Sequence, residues 1–355
     1  MQARLVRLRN RMRERGLDAL VVSSLPNIRY LTGFSGSNAL CIVTRRKAFF
    51  LTDSRYRQQS REEVIGYVRH VATAGLFDTT AELHLLSGYS AVGFEAHAVS
   101  YAQFRRLKRL VPGIHLKSTE DFVEDIAVCK DAGELSKISR AVRITDRVYG
   151  EVLQILTPGV SERDVAAEIS YLHRKYGADG EAFEPIVAGG PRAALPHARP
   201  TARKFRRGET LVLDLGCVVE GYGSDLTRTV SIGSAPRRAR SLYAAVLSAQ
   251  NAAINAARPG LRARDLDGIA RSAIVSAGYG KFFTHSLGHG LGLRVHERPW
   301  IAPKSVDVLA PGNVITIEPG IYIPGYGGIR IEDDVVITRT GCRVLTKAPK
   351  DFCVV

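Results

Sequence analysis

The chain has 355 residues, 45% of them hydrophobic and 24% charged. That length buries a large core and suggests two or three domains, and the composition excludes disordered, collagen-like and disulfide-scaffold classes. The net charge of +15, from 50 basic and 35 acidic residues, is the one unusual value, and it raises nucleic acid or another anionic surface as a partner to weigh.

The charge is not localised. Residues 1–125 hold 19 basic and 12 acidic side chains and residues 126–355 hold 31 and 23, so the two parts carry +7 and +8. The densest run is Arg4, Arg7, Arg9, Arg11, Arg13 and Arg15, interleaved with Leu5, Val6, Leu8 and Met12. Helical spacing there predicts a first helix with a solvated basic face. No RNP, zinc-finger or aromatic–basic pattern accompanies it, so nucleic acid is not expected as a partner. The N-terminus lacks the apolar core of a signal peptide, and no apolar run reaches the ~18–20 residues of a membrane span. Five cysteines (41, 129, 217, 342 and 353) form no CxxC pair, which favours reduced thiols and a cytoplasmic location.

In chain order, the first part predicts a helix over 3–16, a buried strand at 20–22 and paired strands at 40–43 and 48–51 around the turn Arg45-Arg46-Lys47. A strand at 91–94 and an amphipathic helix over 101–110 follow. Strands interleaved with helices indicate an α/β domain ending near residue 125. A long helix begins near Ala132, with Ile138, Val142, Val148, Val152 and Ile155 as its apolar face. The second domain, 126–355, contains a repeat: PGVSERDV at 158–165 matches PGLRARDL at 259–266, and Gly177 matches Gly278 at the same offset of 101. Matching context around both copies points to two related halves with a site between them.

Five segments carry the chemistry. TLVLDLG (210–216) contains Asp214, and GYGSDLTRTV (221–230) contains Asp225. The turn at Gly221–Gly223 predicts a hairpin in which the two carboxylates face each other across adjacent strands. HSLGHGLGLRVHE (285–297) supplies His285, His289 and His296, VITIEPG (314–320) places Glu318 at a strand end, and GIRIEDDVVIT (328–338) places Glu332 within a strand. Buried unpaired charges are very costly, and neighbouring like charges raise one pKa strongly. A bound cation removes both penalties. Two Asp, one His and two Glu form an oxygen-rich set suited to Mn²⁺, Co²⁺, Fe²⁺ or Zn²⁺, and the number of bridging carboxylates predicts two ions about 3.5–4 Å apart. Arg330 and Glu332, two residues apart, share a strand face, so Arg330 is expected to orient that carboxylate.

These motifs resemble the pita-bread-fold metallopeptidases, the family containing methionine aminopeptidase, aminopeptidase P, prolidase and creatinase. The likeness covers nearly the whole chain, including the N-terminal domain of the prolidase/aminopeptidase P branch (YLTGFSGSNA, 30–39, and LTDSRY, 51–56). It implies an α/β N-terminal domain and an α+β C-terminal pita-bread domain with an internal pseudo-twofold duplication. It implies that Asp214 binds one metal, that His289 and Glu318 bind the other, and that Asp225 and Glu332 bridge both. His197, in LPHARPT (195–201), matches the family's substrate-side histidine, and His296 the histidine near the scissile carbonyl. From the residues alone, His197 is a loop histidine of open role. Manganese and a homodimer are the expectations from the resemblance.

The ligand set disfavours creatinase, which does not keep it, and the N-terminal domain disfavours methionine aminopeptidase. Two hydrolytic readings remain, both for peptides with proline at the second position. A dipeptidase needs a cation for the proline carboxylate. Prolidases resembling this chain carry an arginine where HERPWIAP (296–303) has Trp300, with Arg298 two residues away. Trp300 offers a proline ring apolar area but no charge. The expectation is therefore an Xaa-Pro aminopeptidase, with Xaa-Pro dipeptidase as the alternative and a non-catalytic binding homologue behind both. Glu318 is expected to act as general base, His296 and His197 as donors to the oxyanion, and His285 and Trp300 as substrate contacts.

Overall fold

Leu5, Leu8 and Met12 recur at three- and four-residue spacing and form the buried stripe of helix α1 (Gln2–Glu14). Val6, expected beside them, is exposed. The arginines are less solvated than their spacing implied. Arg4 donates to the Tyr30 carbonyl and lies over that ring, Arg7 donates to Ile126, Arg9 to Thr44, and Arg11 pairs with Asp125. Their long stems cover apolar surface while the heads find carbonyls.

A computed structural model describes residues 2–355, which divide into two compact units, one ending at Ala127 and one spanning Val128–Val355. The first unit holds six strands: β1 (Ala19–Val22), β2 (Ala39–Thr44), β3 (Ala48–Asp53), β4 (Val68–Ala72), β5 (Ala91–Glu95) and β6 (His115–Thr119). They lie in the order β4-β3-β2-β1-β5-β6. The β1–β2 and β2–β3 pairs are antiparallel, and the other pairs are parallel. Helices α2 (Leu25–Thr32), α3 (Arg57–Glu63), α4 (Leu76–Glu82), α5 (Tyr101–Leu110) and α6 (Glu124–Ala127) connect and flank them. Buried Glu95 accepts from the Ser23 and Ser24 amides and from Asn27, so a carboxylate from β5 caps the start of α2.

The second unit begins with α7 (Ala132–Val152), fixed by an Asp131–Glu134 capping box. Ile138, Val142, Val148 and Val152 are buried on it, whereas Ile155 lies past its end in a 3₁₀ turn and is 36% exposed. Helix α8 (Glu162–Lys175) leads to strands β7 (Gly180–Glu181), β8 (Ile186–Gly189), β9 (Thr210–Leu215), β10 (Cys217–Val219), β11 (Tyr222–Gly223) and β12 (Leu226–Ser231). Helices α9 (Arg237–Ala256) and α10 (Ala263–Ser276) then open the second half. It continues with β13 (Gly288–Gly290), β14 (Glu297–Ile301), β15 (Val314–Ile317), β16 (Gly320–Ile323), β17 (Gly327–Arg330), β18 (Asp333–Ile337) and β19 (Cys342–Val344).

The duplication is visible in these bounds. Helices α8 and α10 both have 14 residues. The glycines ahead of them, Gly159 and Gly260, and those after them, Gly177 and Gly278, all take positive φ. Ser161 and Arg262, equivalent positions, each make an isolated antiparallel bridge. In the first half, Val165, Ile169 and Leu172 of α8 cluster with Leu211, Leu213 and Val230 of the β12-β9-β8 sheet. In the second, Val246 and Leu266 cluster with Ile315, Ile317 and Val335 of the β14-β13-β15-β18-β19 sheet.

Arg228 of β12 joins the halves. It is fully buried and donates to the carbonyls of Thr227, Glu332, Ala348 and Pro349 and to the Asp333 carboxylate. Removing it breaks the buried pair with Asp333, which keeps only Lys350 and Gln250, and strands several carbonyls. R228M is expected to cost about 3–5 kcal/mol of unfolding free energy in urea titrations, the usual penalty for breaking a buried ion pair from one side.

Candidate active site

Strands β9 and β12 pair antiparallel with Asp214 opposite Thr227, and Asp225 lies two residues from Thr227 on the same face. The predicted hairpin is therefore present. Its tip departs from a simple hairpin because β10 and β11 peel away to join β7 in a separate sheet. His289 sits in β13 between two glycines. A Cβ at Gly288 would lie 2.1 Å from the Thr316 carbonyl oxygen, and one at Gly290 2.1 Å from that of Arg298, so only glycine lets the neighbouring strands close on the histidine. Glu318 follows β15 directly. Glu332 lies in the break between β17 and β18, not inside one strand as its apolar surroundings suggested.

The ligand atoms of Asp225, His289 and Glu332 all lie within 4.8 Å of one another. His289 Nε2 is 3.4 Å from Glu318 Oε1 and 3.8 Å from Asp225 Oδ2. His289 Nδ1 lies 3.1 Å from the Gly290 carbonyl. Assigning the proton to Nδ1 leaves the Nε2 lone pair facing the carboxylates. Burial pushes this imidazole down to about 4, so it is neutral. Burial first, then the other carboxylates, pushes Asp225 and Glu332 well above the carboxylate range. Glu318 is pushed up to about 8, chiefly by burial. Asp214 rises by burial against the opposing pull of Arg330.

Arg330 is buried and donates to Asp214, to the Thr227 hydroxyl at 2.9 Å and to the Tyr322 hydroxyl at 2.8 Å. It does not contact Glu332 directly, as strand parity had suggested. The two share Thr227, whose hydroxyl donates to Glu332 Oε2 at 2.7 Å while accepting from Arg330. His285 Nδ1 lies 2.7 Å from the Ser286 carbonyl and Nε2 2.9 Å from the Tyr322 hydroxyl. Both ring nitrogens are thus engaged, and the histidine orients Tyr322 with no donor left for a substrate.

All ten predicted positions (His197, Asp214, Asp225, His285, His289, His296, Trp300, Glu318, Arg330 and Glu332) line one cavity of about 420 Å³. Its floor is charged. Its walls are the exposed His197 and His296 and the apolar Phe183, Ile186, Pro196 and Trp300. The His296 ring stands edge-on to His289 at 4.3 Å between centroids.

The sequence pattern of metallopeptidase family M24 matches residues 136–339, and that of the creatinase/prolidase N-terminal domain matches residues 4–127. The chain belongs to metallopeptidase family M24. An Xaa-Pro dipeptidase from Bacillus anthracis superposes with a TM-score of 0.97 at 35% identity, covering 100% of this chain and 99% of that one. An X-Pro aminopeptidase from Thermotoga maritima superposes at 0.90 with 37% identity, covering 96% and 98%. An Xaa-Pro dipeptidase of Pyrococcus horikoshii is 36% identical over 344 residues, 96% of each chain. The resemblance read from the motifs is thus the family found, and the fold is its α/β domain followed by the duplicated pita-bread domain. No helix of the described residues is long and apolar enough to cross a membrane.

The residues of this M24 site fit the divalent metal ions that the family implies. Asp214 Oδ1 is buried without a hydrogen-bond partner, the mark of an oxygen meant for another ligand. Were all four carboxylates ionised, one arginine and a neutral imidazole would leave a negative excess that divalent cations remove.

Several supporting residues escaped the sequence reading. Thr227, Thr316 and Asp334 each lie two positions from a candidate ligand. The Thr316 hydroxyl donates to Glu318 at 3.2 Å and accepts the His289 amide at 3.1 Å, and Asp334 accepts the Asp225 amide at 3.0 Å. Their signal was the two-residue parity already used for Arg330. Glu162 gave none. It sits fully buried at the start of α8 and accepts from the Gly189 amide, Arg192, and the amide and hydroxyl of Thr201. It thereby fastens the loop that carries His197.

T227V removes the hydroxyl that Glu332 and Arg330 share. Metal affinity by isothermal calorimetry is expected to fall about 10–100-fold, as for other supporting partners of metal ligands. A second prediction concerns pH. In chelator, Glu318 keeps in the fold a proton that the unfolded chain releases near its ordinary 4.5, because burial holds it at about 8. Its stabilising contribution is complete below the lower value and is lost as pH rises through the upper one. The melting temperature of the metal-stripped protein should therefore fall across that interval, and added Mn²⁺ should restore most at the alkaline end. A rise across the same interval would contradict this burial.

Proposed function

We propose that the chain is a dinuclear-metal hydrolase that cleaves the bond between an N-terminal residue and a following proline. The observation that carries this reading is the convergence of Asp225, His289 and Glu332 within 4.8 Å, with Glu318 and Asp214 lining the same cavity. In this reading Asp214 would hold one metal, His289 and Glu318 would hold the other, and Asp225 and Glu332 would be shared between them. Manganese is the first choice, with cobalt, zinc and iron as alternatives for the same ligands. When bound, such ions supply Lewis acidity and a water acidic enough to attack at neutral pH.

The chain's own residues do the rest. Glu318, lining the cavity 3.4 Å from His289 Nε2, would accept the proton of the attacking water. His296, exposed on the cavity wall, donates to the carbonyl oxygen as it gains charge, and His197 assists from its loop. Arg330 fixes Asp214 through a buried guanidinium. The apolar Phe183, Ile186, Pro196 and Trp300 take the proline ring and exclude water.

Substrate length favours the aminopeptidase form. Trp300, 44% exposed, stands on the cavity wall, and the nearby Arg298 is engaged by Asp307 at 3.0 Å. Neither supplies the cation that a dipeptide's proline carboxylate needs. Xaa-Pro dipeptidase is the second reading, favoured by the names of the Bacillus anthracis and Pyrococcus horikoshii relatives. A cytoplasmic homodimer completes the proposal, on the precedent of the branch the chain resembles. The test compares kcat/KM for Xaa-Pro and Xaa-Pro-Yaa with Mn²⁺-loaded protein. The tripeptide is expected to be the better substrate by about tenfold or more, the worth of about 1.4 kcal/mol. Strong preference for the dipeptide would transfer the assignment to the second reading.

A further inference from the structure

Two arginines line the cavity, and they differ in freedom. Arg330 is buried and spends its donors on Asp214, Thr227, Tyr322 and the Pro196 carbonyl. Arg199 has its side chain 85% exposed, and its ion-pair partner is Glu184, itself 63% exposed, at 3.4 Å. Both line the cavity. An exposed ion pair of this kind is weak and exchanges readily with another anion.

The backbone beneath Arg199 is firm. Its carbonyl accepts from Arg192 at 2.6 Å, and Thr201, two residues on, is bound to buried Glu162. The guanidinium therefore moves on a fixed base, two residues beyond His197. A guanidinium binds a carboxylate through two parallel hydrogen bonds, and Glu184 presents such a carboxylate. A short peptide offers a second one, its own C-terminus. Arg298, the other arginine near this wall, is committed to Asp307.

We propose that Arg199 is a specificity residue that takes the C-terminal carboxylate of short peptide substrates, exchanging Glu184 for the substrate's terminus. This rests on the Xaa-Pro reading and adds to it a preference for free-acid peptides, with the carboxylate lying one residue beyond the proline. Glu184 acts as the resting counter-ion and as a competitor: it keeps the guanidinium at the cavity mouth and repels carboxylates when Arg199 is removed.

The experiment measures kcat/KM of the metal-loaded full chain on Ala-Pro-Ala and on its C-terminal amide. The wild type is expected to prefer the free acid. R199A should lower kcat/KM for the acid about tenfold more than for the amide, chiefly through KM, the worth of one charge-assisted hydrogen bond. R199K should keep part of the preference, and E184Q should enlarge it by removing the competitor. A purely structural role for Arg199 would lower both substrates alike, so equal losses overturn the proposal, as does a wild type indifferent to the amide. If neither peptide is cleaved, the Xaa-Pro reading fails and this inference falls with it. Cleavage of both without an acid preference overturns the inference alone.

Discussion

Four carboxylates, Asp214, Asp225, Glu318 and Glu332, share one cavity, and three of them are under a tenth exposed. Their mutual repulsion in a poorly solvated setting is the constraint to which the rest of the second unit answers. The protein meets part of it with one guanidinium, Arg330, and leaves the remainder to divalent cations. It does not dilute the repulsion by exposing the groups. Each carboxylate is held by a named neighbour instead: Asp214 by Arg330, Glu318 by Thr316, and Glu332 by Thr227, while the Asp225 backbone is held by Asp334.

Those neighbours follow a simple geometric rule. In an extended chain, a residue two positions from a ligand points to the same side. Asp225 brings Thr227, Glu318 brings Thr316, and Glu332 brings Arg330 on one side and Asp334 on the other. Thr227 and Arg330 cross to ligand side chains on other segments, Asp334 crosses to the Asp225 amide, and Thr316 serves both Glu318 of its own segment and the His289 amide. The cluster is stiff because three segments interlock, and Arg228 behind it ties β12 to the C-terminal strand region.

The parts legible in the sequence were those with strong local signals. The duplicated PG–helix copies announced α8 and α10, and carboxylates in apolar strands announced the floor of the cavity. Apolar runs gave β1, β2 and β5, and helix α5 began at its Ser100–Gln103 capping box. Strands β4 (VRHVA) and β6 (HLKST) were illegible because their side chains are mixed and partly exposed, and pairing to a parallel neighbour defines them. Helices α2 to α4 have only seven or eight residues, too few for a periodic stripe. Ile155 and Val6 show the opposite failure, in which apolar spacing continues past the face that tertiary packing uses. Glu162 was hidden for another reason. As an acidic residue in the first turn of a helix it reads as an ordinary complement to the helix dipole, and only the returning loop shows that it is a buried anchor.

The duplication has a consequence for how the site is assembled. Of the candidate ligands, Asp214 and Asp225 come from the first copy, and His289, Glu318 and Glu332 from the second. The copies are also unequal: Glu162 of the first corresponds to Ala263 of the second, which has no carboxylate to hold a loop. Neither half therefore contains a whole reaction centre, and each presents acidic groups toward the other. A divalent cation would add an attraction across this seam beside the contacts of Arg330 with Asp214 and Thr227 with Glu332. The Arg228 hydrogen bonds already hold the halves together, so metal loading would complete a seam that folding has closed.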